Sequence, residues 1–193
     1  MSLKLLSQSI LYYVKHLFHD PEEFLTMLGG KETDYILQIG CSSGYYTIPL
    51  ARIAKEGKIY AIGSCAETLA RVKTRCRNNC HIEAICCSPD AFVLPRSSID
   101  KVFCFNVLHK LSNIKQAVSL WVEFLKDGGK FFCTSHKIAP QTIQQLSNGK
   151  LHPLGTLKGM TVFVKSGSGL RVLKENAEFS PESFRDQESE ASY

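Results

Sequence analysis

The sequence has no long hydrophobic run and no leader-like start. None of its stretches approaches the roughly 18 apolar residues of a membrane span, and the longest candidate, residues 102–108, is interrupted by Asn106. The opening MSLKLLSQS has no basic segment followed by an apolar core and a cleavage site, as a signal peptide would. We therefore expect a protein that does not cross a membrane, and we expect it in the cytoplasm.

The eight cysteines show neither C-x-x-C spacing nor a second matching cluster. Cys76, Cys80 and His81, followed by Cys86 and Cys87, form the only grouping that resembles a ligand set. The adjacent pair would point to opposite faces of a strand, which does not suit a shared metal. Without a secretory signal, reduced and mostly buried thiols are the better interpretation, and no bound metal is expected.

Basic residues also lack a concentrated run, although the formal net charge is +5. From Glu175 onward there are six acidic residues and one basic residue. The preceding chain holds 22 basic and 12 acidic residues, a net charge of +10. No five consecutive residues are Lys or Arg, and no aromatic residues interleave with basic ones as in a nucleic-acid groove. A small-molecule partner is therefore favoured over nucleic acid.

What the chain does contain is an alternation of strand-like and helical patterns, in a length that suits one domain. Strands alternating with helices at this spacing imply right-handed crossovers and a largely parallel sheet covered on both faces. The predicted strands span residues 35–39, 57–63, 82–87, 100–105 and 129–135, and the predicted helices 45–55, 67–78 and 114–125.

The flanking segments complete a single predicted domain, residues 1–180. Helical spacing over residues 5–18 and a second helix beginning near Pro21 form an N-terminal cap, residues 1–30, before the core, residues 33–136. A short helix at 140–146 and a hairpin follow in residues 137–180, and the acidic tail 181–193 is expected to be flexible. The hairpin is predicted to join residues 160–165 to residues 170–174 through the Gly/Ser segment 166–169.

The most informative segment is the glycine loop, residues 40–44, between the first strand and its helix. In an open parallel sheet, ligands bind at the carboxyl ends of the strands, beside the first strand. Two nucleotide motifs fail here: Gly30-Lys31 is followed by Glu32 rather than the Ser or Thr of a Walker loop, and Ser42 and Tyr45 replace the later glycines of a dinucleotide fingerprint. A G-x-G-x-G loop for S-adenosylmethionine retains its first and last glycines, Gly40 and Gly44.

Four further landmarks follow the glycine-loop motif of residues 36–47 in order: residues 57–62, Asp90 ahead of Leu94-Pro95, residues 98–111, and residues 125–129. Together they resemble the class I S-adenosylmethionine-dependent methyltransferases over about residues 20–136. The resemblance implies a Rossmann-like, doubly wound, mostly parallel seven-stranded sheet with helices on both faces and a C-terminal antiparallel hairpin. It also implies S-adenosylmethionine as cofactor and methyl transfer as the activity.

The resemblance assigns cofactor contacts residue by residue. In that family the glycine loop receives the methionine part, an acid after the third strand binds the adenine amino group, and the segment after the fourth strand passes under the cofactor. The matching residues are Gly40, Cys41, Ser42, Gly44 and Tyr45 in and beside the loop, Asp90 and Ala91 after the third strand, and Asn106 and Val107 after the fourth.

Three positions depart from the family pattern. Gln38 stands where an acid is usual in the first strand, Gly63 and Ser64 stand where an acid usually grips the ribose, and Ser42 replaces the middle glycine. Glu67 lies too far along the chain to be assumed a substitute. These changes keep a second hypothesis open, in which a methyltransferase-like domain with weak or lost cofactor binding serves as a binding or scaffold protein.

Methyl transfer from a sulfonium needs alignment more than catalytic side chains, so no catalytic residue follows directly from the sequence. A histidine could act as a base, and His109 and His136 fall on the predicted functional rim. Both can equally be ordinary loop residues. His16 and His19 in the N-terminal helix are weaker candidates. Because little sequence follows the fifth strand, we expect the N-terminal helices or a second subunit in a homodimer to complete the acceptor pocket.

Overall fold

The computed structural model describes residues 21–41, 44–79, 81–134, 138–157 and 159–167. Seven strands in these ranges form one sheet. They are β1 (Tyr35–Ile39), β2 (Lys58–Gly63), β3 (Ile82–Cys86), β4 (Ile99–Phe105), β5 (Leu125–Thr134), β6 (Leu151–Leu157) and β7 (Met160–Lys165).

The strand order is β3-β2-β1-β4-β5-β7-β6. Strands β1 to β5 pair in parallel, while β7 lies antiparallel between β5 and β6. The predicted fold class, a Rossmann-like doubly wound sheet with a C-terminal antiparallel hairpin, is confirmed. Because β1 lies between β2 and β4, the strand order reverses beside β1, which creates the crevice where such sheets bind ligands.

Helices cover both faces of the sheet. The described helices are α1 (Pro21–Met27), α2 (Thr47–Ile53), α3 (Ala66–Arg75), α4 (Ile114–Phe124) and α5 (Pro140–Leu146), with a 3₁₀ turn at Leu108–Lys110. On one face Ile36 and Phe103 pack against α1 and α2, and on the other Leu37 and Val102 pack against α4. Strands buried on both faces read as continuous apolar runs, which is why β1 and β4 could be recognised in the sequence. Of the described helices, none is both long and apolar enough to cross a bilayer.

Helix α4 also fixes the loop after β3. The buried indole Nε1 of Trp121 donates a hydrogen bond to the carbonyl oxygen of Pro89 at 2.7 Å. A buried indole N–H needs such an acceptor, so the bond ties the loop to the core. The helix itself begins where the side chain of Asn113 accepts a hydrogen bond from the backbone N–H of Gln116 at 3.0 Å. The position of Asp90, the next residue after Pro89, is thereby set by the core.

A buried ion pair holds β1 and β4 together at their amino ends. The ammonium of Lys101 on β4 bonds to Oδ2 of Asp34, and both side chains are almost completely buried. The same carboxylate oxygen accepts a hydrogen bond from the backbone N–H of Lys31 at 2.7 Å. Charges removed from water are tolerated only when paired in this way. The pair therefore anchors the loop before β1 to the neighbouring strand.

Two local predictions were wrong. The antiparallel partner of residues 160–165 is β6, which precedes them, and the predicted partner 170–174 lies outside the described residues. Pro153 and Gly155 are tolerated in β6 because it is an edge strand whose register shifts between them. Residues 126–128, predicted as a turn, belong to β5, whose pairing with β4 also shifts between Ile99 and Lys101.

The other elements end within a few residues of their predicted bounds. The predicted helix at 5–18 lies outside the described residues. The division into cap, core, hairpin and tail remains a prediction.

Replacing Lys101 should be costly. We expect Lys101→Met to lower the free energy of unfolding by about 3–5 kcal/mol, because it leaves the buried Asp34 carboxylate without its counter-charge. Urea denaturation measures the loss. Lys126→Met is the matched control, since Lys126 pairs with Asp100 at 2.7 Å in a half-exposed setting and should cost less than about 1 kcal/mol. Equal losses in the two variants would contradict a special role for the buried pair.

Candidate functional site

The segments singled out in the sequence meet at the carboxyl edge of the sheet, where the parallel strands end. The glycine loop follows β1, Gly63 ends β2 and Ser64 follows it, Asp90 follows β3, and Asn106 follows β4. Because β1 pairs with β2 on one side and with β4 on the other, the terminal residues of the three strands lie side by side. Ser42 lies outside the described residues.

The glycine loop turns tightly and rests on the segment after β4. Gly40 and Gly44 both have φ of +84°, a conformation that residues with a side chain rarely adopt. A Cβ on Gly40 would lie 2.3 Å from Cγ2 of Val107 and 2.9 Å from the carbonyl oxygen of Phe105. Only a residue without a side chain therefore allows the two segments to approach this closely.

The described backbone amides of the loop are bonded within the protein. Gly40 and Cys41 donate to the carbonyl oxygen of Ile62 at 3.0 and 3.3 Å, and Gly44 donates to the carbonyl oxygen of Cys41 at 2.9 Å. These bonds fix the loop to β2. The amides of residues 42 and 43 lie outside the described residues.

Gln38, two residues before the loop, is buried and only partly hydrogen-bonded. Its side chain is 1% exposed, and Oε1 accepts a hydrogen bond from the hydroxyl of Thr47 at 2.7 Å. Nε2 is also buried and has no hydrogen-bond partner among the described residues. A buried amide donor without an acceptor costs about 1–3 kcal/mol. Thr47, at the start of α2, had not been singled out in the sequence.

At the end of β2 the position of the usual acid is closely packed by two side chains. A Cβ on Gly63 would lie 2.5 Å from Cδ1 of Leu69 and 3.0 Å from Sγ of Cys41. Both side chains are buried, and burial raises the pKa of the Cys41 thiol to about 11, so it is neutral at physiological pH. An apolar methyl group and a protonated thiol thus lie where the first side-chain carbon of an acid would enter. Ser64 is exposed beside them.

Asp90 lies on the loop that Trp121 fixes. Its Oδ1 accepts a hydrogen bond from the hydroxyl of Ser88, and the backbone N–H of Ala91 donates to the carbonyl oxygen of Ser88 at 3.0 Å. The carboxylate is partly exposed and Ala91 is exposed. A carboxylate has about four acceptor positions, so one bond from Ser88 leaves capacity for further N–H donors.

After β4 the backbone adopts an uncommon conformation. Asn106 has φ of +50°, which asparagine tolerates better than most residues with a side chain. Its backbone N–H donates to the hydroxyl oxygen of Thr134 on β5 at 2.9 Å. The Asn106 side chain is exposed at the edge of the sheet, while Val107 fills the space beside Gly40.

Aromatic rings flank this segment. The rings of Tyr46 and Phe105 stack with centroids 4.1 Å apart and planes 6° apart. Tyr45 meets Tyr46 edge to face at 4.9 Å. The sequence showed Tyr45 beside the loop but gave no indication of the stacking, because Phe105 is distant along the chain.

Of the two histidines that the sequence suggested as a base, the structure describes one. His109 lies exposed on the 3₁₀ turn after β4, and His136 lies outside the described residues. Neither is assigned as a base by the geometry. Among the described residues, no three His, Cys, Asp or Glu side chains converge as a metal ligand set.

Solved structures with the same fold include several methyltransferases. An S-adenosylmethionine-dependent methyltransferase from Aquifex aeolicus shares 18% identity and covers 78% of this chain and 91% of its own, with a TM-score of 0.63. The N-methyltransferase NodS from Bradyrhizobium japonicum, in complex with S-adenosyl-L-homocysteine, shares 19% identity over 79% of this chain and 91% of its own, with a TM-score of 0.61. A putative methyltransferase solved with the Haloferax volcanii Trm112 activator shares 13% identity over 79% and 92%, with a TM-score of 0.65. At these identities the similarity shows the fold.

Family membership comes from the sequence match. No curated protein matches the chain. A family model described as a methyltransferase domain matches residues 37–133, just over half of the chain, and these residues run from β1 through the whole site to the end of β5. S-adenosylmethionine is the cofactor of this family. The chain belongs to the class I S-adenosylmethionine-dependent methyltransferases.

Proposed function

We propose that this chain transfers the methyl group of S-adenosylmethionine to a small-molecule acceptor in the cytoplasm. The observation that carries the proposal is the seating of Gly40 against Val107 and Phe105, which brings the loops after β1 and β4 together at the switch point of the sheet. In this fold a ligand lying across that point would contact both loops.

The residues present fit the cofactor at two of three places. The glycine loop has the tight turn that a backbone-lined site for the methionine part needs. Asp90 offers carboxylate acceptors to the adenine amino group. At the ribose, Leu69 and Cys41 occupy the space of the usual acid, so this chain has no charged acceptor there. We therefore expect binding in the micromolar range rather than tighter.

When bound, S-adenosylmethionine would supply a methyl group attached to a positively charged sulfur: the nucleophilic atom of the acceptor would bond to the methyl carbon in line with the breaking C–S bond, and the sulfur would leave as a neutral thioether. The contribution of the chain is then to hold the cofactor and acceptor in line and to exclude water. The fixed loops after β1, β3 and β4 would hold the cofactor, and the stacked rings of Tyr46 and Phe105 place apolar surface next to Asn106. No proton transfer is assigned, since a base is not needed for an acceptor that is already deprotonated.

The small size of the acceptor is supported by the sequence, in which no basic residues interleave with aromatic ones as in a nucleic-acid groove. We propose that a second copy of the chain completes the acceptor pocket. The cytoplasmic location is supported by the seven described cysteines, all of which are free thiols.

Asp90 provides the direct test of the binding site. Asp90→Ala should weaken S-adenosylhomocysteine binding at least tenfold, because a hydrogen bond to a charged group contributes about 1.5–3 kcal/mol. Isothermal calorimetry measures the change. Asp127→Ala is the control, since Asp127 lies at the opposite edge of the sheet and is half exposed. The proposal fails if the unaltered protein binds no cofactor at millimolar concentration, or if Asp90→Ala binds as the unaltered protein does.

The ribose position gives a second test, by gain of affinity. Gly63→Asp combined with Leu69→Val should restore a charged acceptor, since valine lacks the Cδ1 methyl that obstructs the new side chain. We expect S-adenosylmethionine to bind about tenfold more tightly. Gly63→Asn in the same Leu69→Val background keeps the shape without the charge. An equal affinity for the Asp and Asn variants would show that a missing carboxylate does not limit binding.

A further inference from the structure

Positive charge is concentrated on the second half of α3 and just after it. Arg71, Lys73, Arg75 and Arg77 are all exposed, and the helix has one acidic residue, Glu67, which already pairs with Arg71 at 2.6 Å. Among the described residues, no carboxylate lies within ion-pair distance of Lys73 or Arg77. We call the surface formed by these four basic residues the basic face.

The spacing of these charges favours a bound anion. Arg71 and Arg75 are four residues apart on α3, and Arg77 follows Lys73 by the same interval across the end of the helix. Side chains at this spacing are neighbours on a helical surface, and like charges there destabilise the helix. The dipole of the helix favours cations at its carboxyl end and offsets part of this repulsion. An anion bound along the basic face would relieve the remainder.

The chain itself contains a segment of opposite charge. Residues 175–193, here called the acidic segment, hold six acidic residues and one basic residue and lie outside the described residues. The point from which the chain leaves the described residues is known. Strand β7 runs antiparallel to β5, and a Cβ on Gly167 would lie 2.9 Å from Oδ2 of Asp127, near the start of β5. This point is at the amino edge of the sheet, opposite the carboxyl edge.

Helix α3 ends at the same edge. A helix that joins two parallel strands runs back against them, so the carboxyl end of α3 lies where β3 begins. Five strand spacings separate β7 from β3, a distance of roughly 24 Å. Glu178 follows Gly167 by eleven residues, which span up to about 36 Å when extended. The acidic segment can therefore reach the basic face of its own chain.

We propose that the acidic segment binds the basic face of its own chain and covers it against other anions. Attachment to the same chain gives the segment an effective concentration in the millimolar range, so exposed ion pairs that are individually weak are sufficient. The inference does not depend on the proposed function, because the basic face lies away from the carboxyl edge of the sheet.

Carbodiimide crosslinking of the full chain tests this contact, because the reagent joins a lysine to a carboxylate only when the two groups touch. Lys73 is the lysine of the basic face. At low salt, peptide mapping by mass spectrometry should find Lys73 joined to the acidic segment. Salt at about 0.5 M should remove most of this product, because exposed ion pairs are screened. Lys115 on α4 is the control residue, since it is exposed on the face of the sheet that α3 does not cover. Its yield should be about tenfold lower.

A charge reversal shows whether the basic face as a whole holds the segment. Arg77→Glu leaves Lys73 in place and should lower the yield at Lys73 about threefold, because an attraction is replaced by a repulsion. Lys115→Glu is the matched control and should leave the yield at Lys73 unchanged. Both positions are exposed, so both variants should fold.

Mixing isotope-labelled with unlabelled protein separates binding within one chain from binding between two chains. The crosslinked peptides should carry a single label. The inference is overturned if Lys73 gives no product with the acidic segment, if Lys73 and Lys115 give equal yields, or if the products join labelled to unlabelled chains. It is also overturned if Arg77→Glu leaves the yield at Lys73 unchanged but weakens binding of the protein to single-stranded RNA, since the basic face would then serve a nucleic acid.

Discussion

The close approach of Gly40 to the segment after β4 is the constraint on which the site depends. The parallel pairing of β1 with β4 brings Gly40 beside Phe105 and Val107, and the absence of a side chain lets the two loops touch. At the other end of the same strand pair, the buried bond between Asp34 and Lys101 fixes the register. The crevice at the switch point is therefore held at both ends of β1, and the loops that line it are built on rigid strands.

Most elements could be predicted because parallel strands buried on both faces leave continuous apolar runs, as at β1 and β4. The hairpin partner was missed at β6, where Pro153 and Gly155 interrupt the strand pattern, since an edge strand tolerates residues that a central strand would not.

Part of the candidate site could also be predicted. Asp90 could be placed because it follows a strand, and the carboxyl ends of parallel strands meet at one edge of the sheet. The sequence also showed that a glycine, Gly63, stands where the family usually has an acid. Only the packing of the folded chain shows that Leu69 lies where a side chain at this position would begin.

The departures from the family pattern share one physical consequence. Gln38 and Gly63 each remove a negative charge from the region next to the glycine loop, and the thiol of Cys41 remains protonated because burial raises its pKa. The fold and the loop geometry are retained. What changes is the charge at the proposed cofactor site, which bears on cofactor affinity rather than on the architecture.

The central claim is that the cofactor lies across the contact between the loops after β1 and β4. The most direct measurement is calorimetric titration of S-adenosylhomocysteine into Gly40→Ala and Gly128→Ala. Both glycines have positive φ, but a Cβ at Gly128 meets nothing within 4 Å, whereas one at Gly40 would collide with Val107 and Phe105. We expect Gly128→Ala to bind as the unaltered protein does and a folded Gly40→Ala to lose binding. Equal binding by the two variants would contradict the account.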